Sequence, residues 1–303
     1  MGAQSTRAVR PMPALEVLDT GILTTVQDTG RFGHAALGVG TSGAADHASC
    51  ALANRLLANP SDAAVLEVTF GGLRVRARED LTLAVTGATC PVTISGRGAA
   101  MNSVLHVPDG AELRLGAPER GLRSYVAVRG GIAVPPVLGS RSTDLLAGLG
   151  PPIPTRGTLL PVGPPPAAFP AVDAAPVAPL AADELLLRVV PGPRDDWFHP
   201  EALAVLLSEA YEVTDRSDRI GMRLSGPRLH RAREGELPTE GMVAGALQVP
   251  PGGEPVLFLA DHPVTGGYPV IAVVVAADLP RAAQARPGTR IRFSPRTDRD
   301  RCR

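Results

Sequence analysis

Two stretches of the chain gather residue types that can do chemistry. Thr25-Val-Gln-Asp-Thr-Gly-Arg-Phe-Gly33, continuing to Thr41-Ser-Gly-Ala-Ala-Asp46, sets Asp28, Arg31 and Asp46 in a glycine-rich, weakly apolar segment. Asp261-His-Pro-Val-Thr-Gly-Gly-Tyr-Pro269 lies directly between two strongly strand-like runs. It offers a carboxylate acceptor, hydroxyl donors at Thr265 and Tyr268, and backbone N–H groups exposed by Gly266 and Gly267. Loops fixed on rigid strands are where sites usually sit. The second loop reads equally well as a long hairpin turn in which Asp261 caps and Tyr268 packs.

The cations narrow the chemistry. All thirty basic residues are arginine, and no lysine occurs anywhere in the chain. A phosphate-binding P-loop, a Schiff-base enzyme, a biotinyl carrier and a Ser-Lys hydrolase each need a lysine, so none can reside in this chain alone. An anionic substrate group would have to be held by arginine, which grips carboxylates and phosphates bidentately. Thirty acidic residues bring the net charge to zero, which argues against a nucleic-acid binder.

Other signals are weaker. His34, His47, His106, His199, His230 and His262 show no HExxH or similar spacing, and no cysteine cluster supplements them, so no metal site is expected. No GxSxG elbow is present. Gly38-Val-Gly-Thr-Ser-Gly43 matches GxGxxG, but no hydrophobic strand ends at its first glycine. A glycine-rich turn leading into a helix N-terminus is expected there instead of a dinucleotide site, and its free N–H groups suit a substrate carboxylate. Cys50, Cys90 and Cys302 form no disulfide framework, which fits a reducing cytoplasm. The longest apolar run, Val270 to Ala277, is far short of a membrane span, and no signal peptide is seen. A cytoplasmic protein without membrane association is expected.

The elements that must position these residues are mostly strands. Leu66–Phe70, Leu73–Arg78, Leu81–Val85 and Ala111–Leu115 alternate apolar with polar residues, and Arg74, Arg76 and Arg78 share one solvated face. Further strands are expected at Val104–Val107, Ser124–Val128, Leu185–Val190, Tyr211–Val213, Ala246–Val249, Val256–Leu259, Val270–Val275 and Arg290–Phe293. Helices are expected only over about Ala44–Ala58, Asp195–Glu209 and Leu279–Ala285. The fold class is therefore mainly β, or β-rich α+β. Ten prolines between Pro151 and Asp183 mark an extended connection. The expected organisation is a disordered tail over 1–13, an N-terminal β-rich lobe over 14–150, a Pro-rich connection over 151–182, a second lobe over 183–294 and a disordered tail over 295–303.

A series of matches in order along the chain resembles the allophanate hydrolase subunit 2, or biotin-dependent carboxyltransferase, family. It runs through Thr25-Val-Gln-Asp28, Gly30-Arg31, Ser42-Gly-Ala44, Asp46, Ala53-Asn-Arg-Leu56, Asn59 and Leu66-Glu67. Arg129-Gly-Gly-Ile132 and Val137-Leu-Gly-Ser-Arg-Ser-Thr-Asp144 follow. Ser217-Asp-Arg-Ile-Gly-Met-Arg-Leu224, Glu240-Gly241, Gln248-Val-Pro250 and Thr265-Gly-Gly-Tyr-Pro269 complete it. The chain departs from the family pattern at Gly157-Thr158, where Gly-Asp is familiar, and at Ile220, commonly Met.

The resemblance implies two cyclophilin-like β-barrel lobes with a canyon between them. It also implies the C component of an ATP-dependent 5-oxoprolinase, opening 5-oxo-L-proline to L-glutamate with a KipI-like B component and a LamB/YcsF-like A component. No covalently bound cofactor is implied, and ATP is used by the complex. On this footing Asp28, Asp46, Glu67 and Asp261 are the candidates for acid/base or amide-orienting work. Arg31, Arg219 and Arg223 are candidates for holding a substrate anion, and Thr265 and Tyr268 for donating to an oxyanion. Ser42, Gly43, Asn54, Gln248, Gly266 and Gly267 complete the candidate binding set. The alternatives are a carboxyltransferase for urea-like amides, which would need a separate biotin carrier, and a non-catalytic KipA-like regulator that binds a kinase inhibitor. Allophanate cleavage itself is not expected, because its amidase triad requires a lysine.

Overall fold

In the computed structural model, residues 13–180, 184–235 and 237–297 are described. The strand Leu73–Ala77 shows how the sequence builds the first lobe. Leu73, Val75 and Ala77 are buried, while Arg74 and Arg76 point outward. Arg74 pairs with Glu112 at 2.7 Å, and Arg76 and Arg78 both reach Glu16, so the solvated arginine face is an ion-paired one. This strand sits in a six-stranded sheet ordered Leu159–Pro161, Ala14–Thr20, Leu73–Ala77, Glu112–Leu115, Val92–Ile94 and Arg97–Ala99. A five-stranded sheet, ordered Leu23–Gln27, Val65–Thr69, Arg120–Val128, Leu81–Thr89 and Val104–Val107, faces it across a shared aliphatic core.

Arg120–Val128 is buried along nearly its whole length because both of its faces are covered. Val126 and Val128 join the inter-sheet core, whereas Tyr125 and Ala127 pack against the helix His47–Leu56, here α1.

The second lobe closes on itself. Glu184–Pro191, Val270–Val274, Ala246–Gln248, Val256–Phe258, Gly221–Ser225, Ala210–Val213 and Arg290–Pro295 form a seven-stranded barrel. Its closure is the parallel pairing of Glu184–Pro191 with Arg290–Pro295. The helix Glu201–Ser208 (α2) and the short helix Leu279–Ala282 (α3) supply Ala202, Leu206 and Ala282 to its core. The mainly β class thus holds, with one barrel and, in the first lobe, two stacked sheets instead of a single closed ring.

Several boundaries differ from the sequence expectation. Leu159–Pro161, expected within the Pro-rich connection, is an edge strand paired with Ala14–Glu16. The connection then runs along the first lobe: Val104 N–H donates to Asp173 O at 2.8 Å, Ala175 N–H donates to Asn102 O at 2.8 Å, and Arg129 stacks over Phe169. At the other end Pro295, expected in the tail, is still in the barrel, opposite Val189. Residues 1–12 and 298–303, which hold most of both expected tails and Cys302, lie outside the described residues. Among the described residues no helix is long and apolar enough to cross a membrane.

Candidate functional site

The strand Leu23–Gln27 ends at Asp28, and the chain then loops over residues 28–46 before entering α1. Asp28 organises that loop. Its Oδ1 accepts from Gly30 N–H at 2.8 Å, Ser140 Oγ at 2.7 Å and Ser142 Oγ at 2.6 Å, and its Oδ2 accepts from Arg141 N–H at 2.5 Å. Gly30 is required by its surroundings, since a Cβ there would lie 2.7 Å from Thr41 O. Arg31 turns inward, donates from Nη2 to Ser142 O and stands 3.7 Å from Asp144 through Nη1. Its Nε and Nη1 are buried without hydrogen-bond partners. Ser42 is held at φ 53°, a conformation that costs a non-glycine residue and that clusters at functional sites.

This loop forms one wall of a cleft of about 620 Å³ between the lobes. The opposite wall comes from the barrel: Met242, Val243 and Ala244, then Leu259, Ala260, His262 and Val264, with Leu279. The lining is largely apolar, and Phe32 and Val243 stand exposed at its mouth. Such a mainly apolar concavity with a few convergent polar groups is the usual form of a small-molecule site.

Behind the cleft, Arg219 joins the two lobes. It is 1% exposed. Nε and Nη2 reach the two oxygens of Asp261, each at 2.9 Å, Nη1 donates to Glu67, and Nη2 also donates to Gly43 O at 2.6 Å. Burial alone would pull this guanidinium down, but Glu67 and Asp261 more than offset it and hold it above the ordinary arginine range. Asp261 further accepts from Ser42 Oγ at 2.7 Å and Leu145 N–H at 3.2 Å. Glu67 accepts from Tyr125 OH at 2.8 Å and Ala45 N–H at 2.9 Å. Burial, then Glu67 and Asp46, keep the Tyr125 phenol protonated well above its usual range, as its donor role requires. Asp46 caps α1 through Ser49 N–H at 3.0 Å and accepts from Gln284 Nε2 of the second lobe at 2.7 Å.

The sequence candidates therefore fall into three places. Asp28, Arg31 and Ser42 line the cleft. Gly43, Asp46, Glu67, Arg219 and Asp261 form the buried network behind it, every carboxylate already occupied by donors. The others lie elsewhere. Asn54 is fully buried in the first lobe, donating to Ala63 O at 2.8 Å. Arg223 stands exposed on the barrel strand Gly221–Ser225. Thr265–Gly266 pairs with Glu240–Gly241, Gln248 Nε2 donates to Tyr268 O at 3.1 Å, and neither Gly267 nor Tyr268 is a lining residue of the cleft.

Sequence reasoning missed His34, His47 and His262, all of which line the cleft. Mutual spacing, the criterion for metal ligation, does not reveal them. The available signal was adjacency: His34 and His47 flank the glycine-rich loop, and His262 follows Asp261. His262 Nδ1 lies 2.8 Å from Pro263 O, and a carbonyl only accepts, so the neutral ring carries its proton on Nδ1 and leaves Nε2 as an acceptor. The ring is braced against Phe258, 6.2 Å between centroids. Among the described residues no three His, Cys, Asp or Glu side chains gather as a metal would require. The GxGxxG segment lies in the cleft wall, and the strands before and after α1, Leu23–Gln27 and Val65–Thr69, pair antiparallel, which is not the parallel unit of a dinucleotide fold.

Comparison with known proteins gives a consistent pattern. The carboxyltransferase domain family, subdomains A and B, matches residues 37–295. The C component of the Escherichia coli 5-oxoprolinase is 36% identical over 291 residues, covering 92% of this chain and 90% of that protein. The crystal structure of TTHA0988 superposes with a TM-score of 0.84 at 37% identity, over 94% of this chain and 56% of that one. The urea amidolyase of Kluyveromyces lactis superposes with a TM-score of 0.89 at 32% identity, over 96% of this chain. The chain spans only 19% of that enzyme's length.

Proposed function

The chain belongs to the carboxyltransferase domain family, subdomains A and B, and we propose that it works as the C component of an ATP-dependent 5-oxoprolinase. In that role it opens 5-oxo-L-proline to L-glutamate together with A and B components and is inactive alone. The observation that carries this reading is the match to the Escherichia coli protein, which extends over 92% of this chain and 90% of its relative.

A cyclic amide presents an N–H donor, a carbonyl acceptor and, in 5-oxoproline, a carboxylate. In the cleft, His262 Nε2 accepts from the lactam N–H, and the Thr29 and Thr41 hydroxyls are donors for its carbonyl. Among the described residues Arg31 is the one arginine lining the cleft, but its guanidinium is turned inward beside Asp144, so a substrate carboxylate would be met by backbone N–H groups of the glycine-rich loop or by a partner component. Asp28, Asp46, Glu67 and Asp261 position these groups and do not exchange protons with substrate, because their oxygens already accept from fixed donors. With no lysine the chain holds no P-loop, and phosphoryl transfer from ATP falls to the assembled complex.

The test is to combine the chain with its A and B partners and follow ATP hydrolysis with and without 5-oxoproline. Stimulation by 5-oxoproline that disappears when this chain is omitted is the expected result. A complete mixture that is not stimulated overturns the reading.

A second reading, carboxyl transfer to a urea-like amide, is favoured by the superposition on the urea amidolyase. It requires a biotinylated carrier on another chain. Inhibition of turnover by avidin separates the two, because the oxoprolinase reaction needs no biotin.

A further inference from the structure

The Thr265–Tyr268 loop, which the cleft does not use, leads to a second concavity. Residues 228–235 and the turn Pro251-Gly252-Gly253 enclose a depression of about 380 Å³ on the barrel lobe. Its wall holds Arg228, His230, Arg231 and Arg233 against a single carboxylate, Glu234. Arg233 is already paired with Asp196 at 2.8 Å.

Arg231 is in another condition. Its Nη2 donates to Val249 O at 2.6 Å, its guanidinium lies 5.4 Å from the centre of the Tyr268 ring, and its Nε is buried without a hydrogen-bond partner. Gln248 fixes the support by donating to Tyr268 O. Among the described residues neither Arg231 nor Arg228 has a carboxylate partner. Burial pulls the Arg231 guanidinium below the ordinary arginine range, and Tyr268 offsets that only in part. A half-buried cation without a carboxylate partner is stabilised by an anion drawn into the depression beside it.

The number of donor forks selects the anion. With Arg233 paired to Asp196, two arginine forks without a carboxylate partner, Arg228 and Arg231, remain on one depression, and a group with three acceptor oxygens, a phosphate, can accept from both. We propose that this depression binds the phosphate of a small anion, a free diphosphate or the phosphates of a nucleotide, with Arg231 and Arg228 as its ligands and the Thr265–Tyr268 loop as the brace for Arg231. The inference does not depend on the 5-oxoprolinase reading.

Calorimetric titration of the full chain with pyrophosphate, and separately with ATP, tests it. One saturable site is expected. Arg231→Gln abolishes it, but Arg231 also holds Val249 O, so Arg228→Gln, on an exposed side chain, is the second variant. That substitution weakens binding about tenfold, the loss of one charge-assisted hydrogen bond. Arg97→Gln, on the exposed strand Arg97–Ala99 of the other lobe, leaves binding unchanged. Tighter binding of ATP than of pyrophosphate assigns the site to nucleotide phosphates, and equal binding assigns it to the diphosphate itself. No saturable binding of either at millimolar concentration, or equal weakening by Arg97→Gln, overturns the proposal.

Discussion

Arg219 carries the largest single consequence at the residue scale. A buried guanidinium satisfied by two carboxylates and a carbonyl is poorly placed to hold a substrate, although its type and its place in the family pattern make it a natural candidate. Replacing it with Met leaves Glu67 and Asp261 buried without their cation. Removing one partner of such a group costs about 3–5 kcal/mol, and urea unfolding of Arg219→Met is expected to show that loss. A substitution that changes turnover but not stability would place the residue in contact with substrate instead. Cys50 adds a check on burial. Burial first, then Glu67, Asp46 and Asp28, raise its thiol from 9.0 to about 12. A raised thiol pKa contributes stability that is fully present below the unfolded value and is lost as pH rises through the folded one. At pH 8 the native chain is therefore expected to leave Cys50 unlabelled by a thiol reagent, with labelling on unfolding; rapid native labelling would show that the α1 face is open.

At the scale of elements, the helix α1 depends on Asp46, which accepts from Ser49 N–H, Ser49 Oγ and Gln284 Nε2. Loss of an N-cap costs about 1–2 kcal/mol, so Asp46→Ala is expected to lower stability by that much, and because Gln284 also bonds Leu122 and Arg123, the coupling in a double-mutant cycle with Gln284→Ala reports the inter-lobe share. Asp278, at the start of α3, gives its carboxylate not to the helix but to Arg188 of the strand Glu184–Pro191. Burial would raise its pKa, but hydrogen bonds from the Arg188 side chain and backbone lower it overall. A depressed carboxyl pKa gives stability that is present above the unfolded value of about 3.9 and is lost as pH falls through the folded value; Asp278→Asn is expected to flatten the acid limb of a stability–pH curve. Strands with one wet face, such as Leu73–Ala77, were legible because alternation records burial directly. Leu23–Gln27 was not, since Thr24, Thr25 and Gln27 are polar and yet buried. Arg120–Val128 was legible only in its second half, because its two covered faces erase the period of two.

Across the whole molecule, the cleft exists because Arg219 and Asp261 of the barrel meet Gly43, Ser42 and Glu67 of the first lobe. The segments involved were visible in the sequence, but their meeting was not: residues 67 and 219 are joined by packing, and nothing in spacing records it. The same gap explains why Asn54 and Arg223, which stand in the family series, lie away from the cleft, and why the three histidines that line it show no mutual spacing. Ala244 offers the most direct test, since it lines the cleft from the barrel side and is neither in the Arg219 network nor in the core. The measurement is 5-oxoproline-dependent ATP hydrolysis by the reassembled complex carrying Ala244→Trp, with assembly and circular dichroism compared with the unsubstituted complex. An indole filling the cleft is expected to abolish the 5-oxoproline stimulation while the components still assemble; undiminished stimulation by a correctly assembled Ala244→Trp complex would contradict the placing of the site between the lobes.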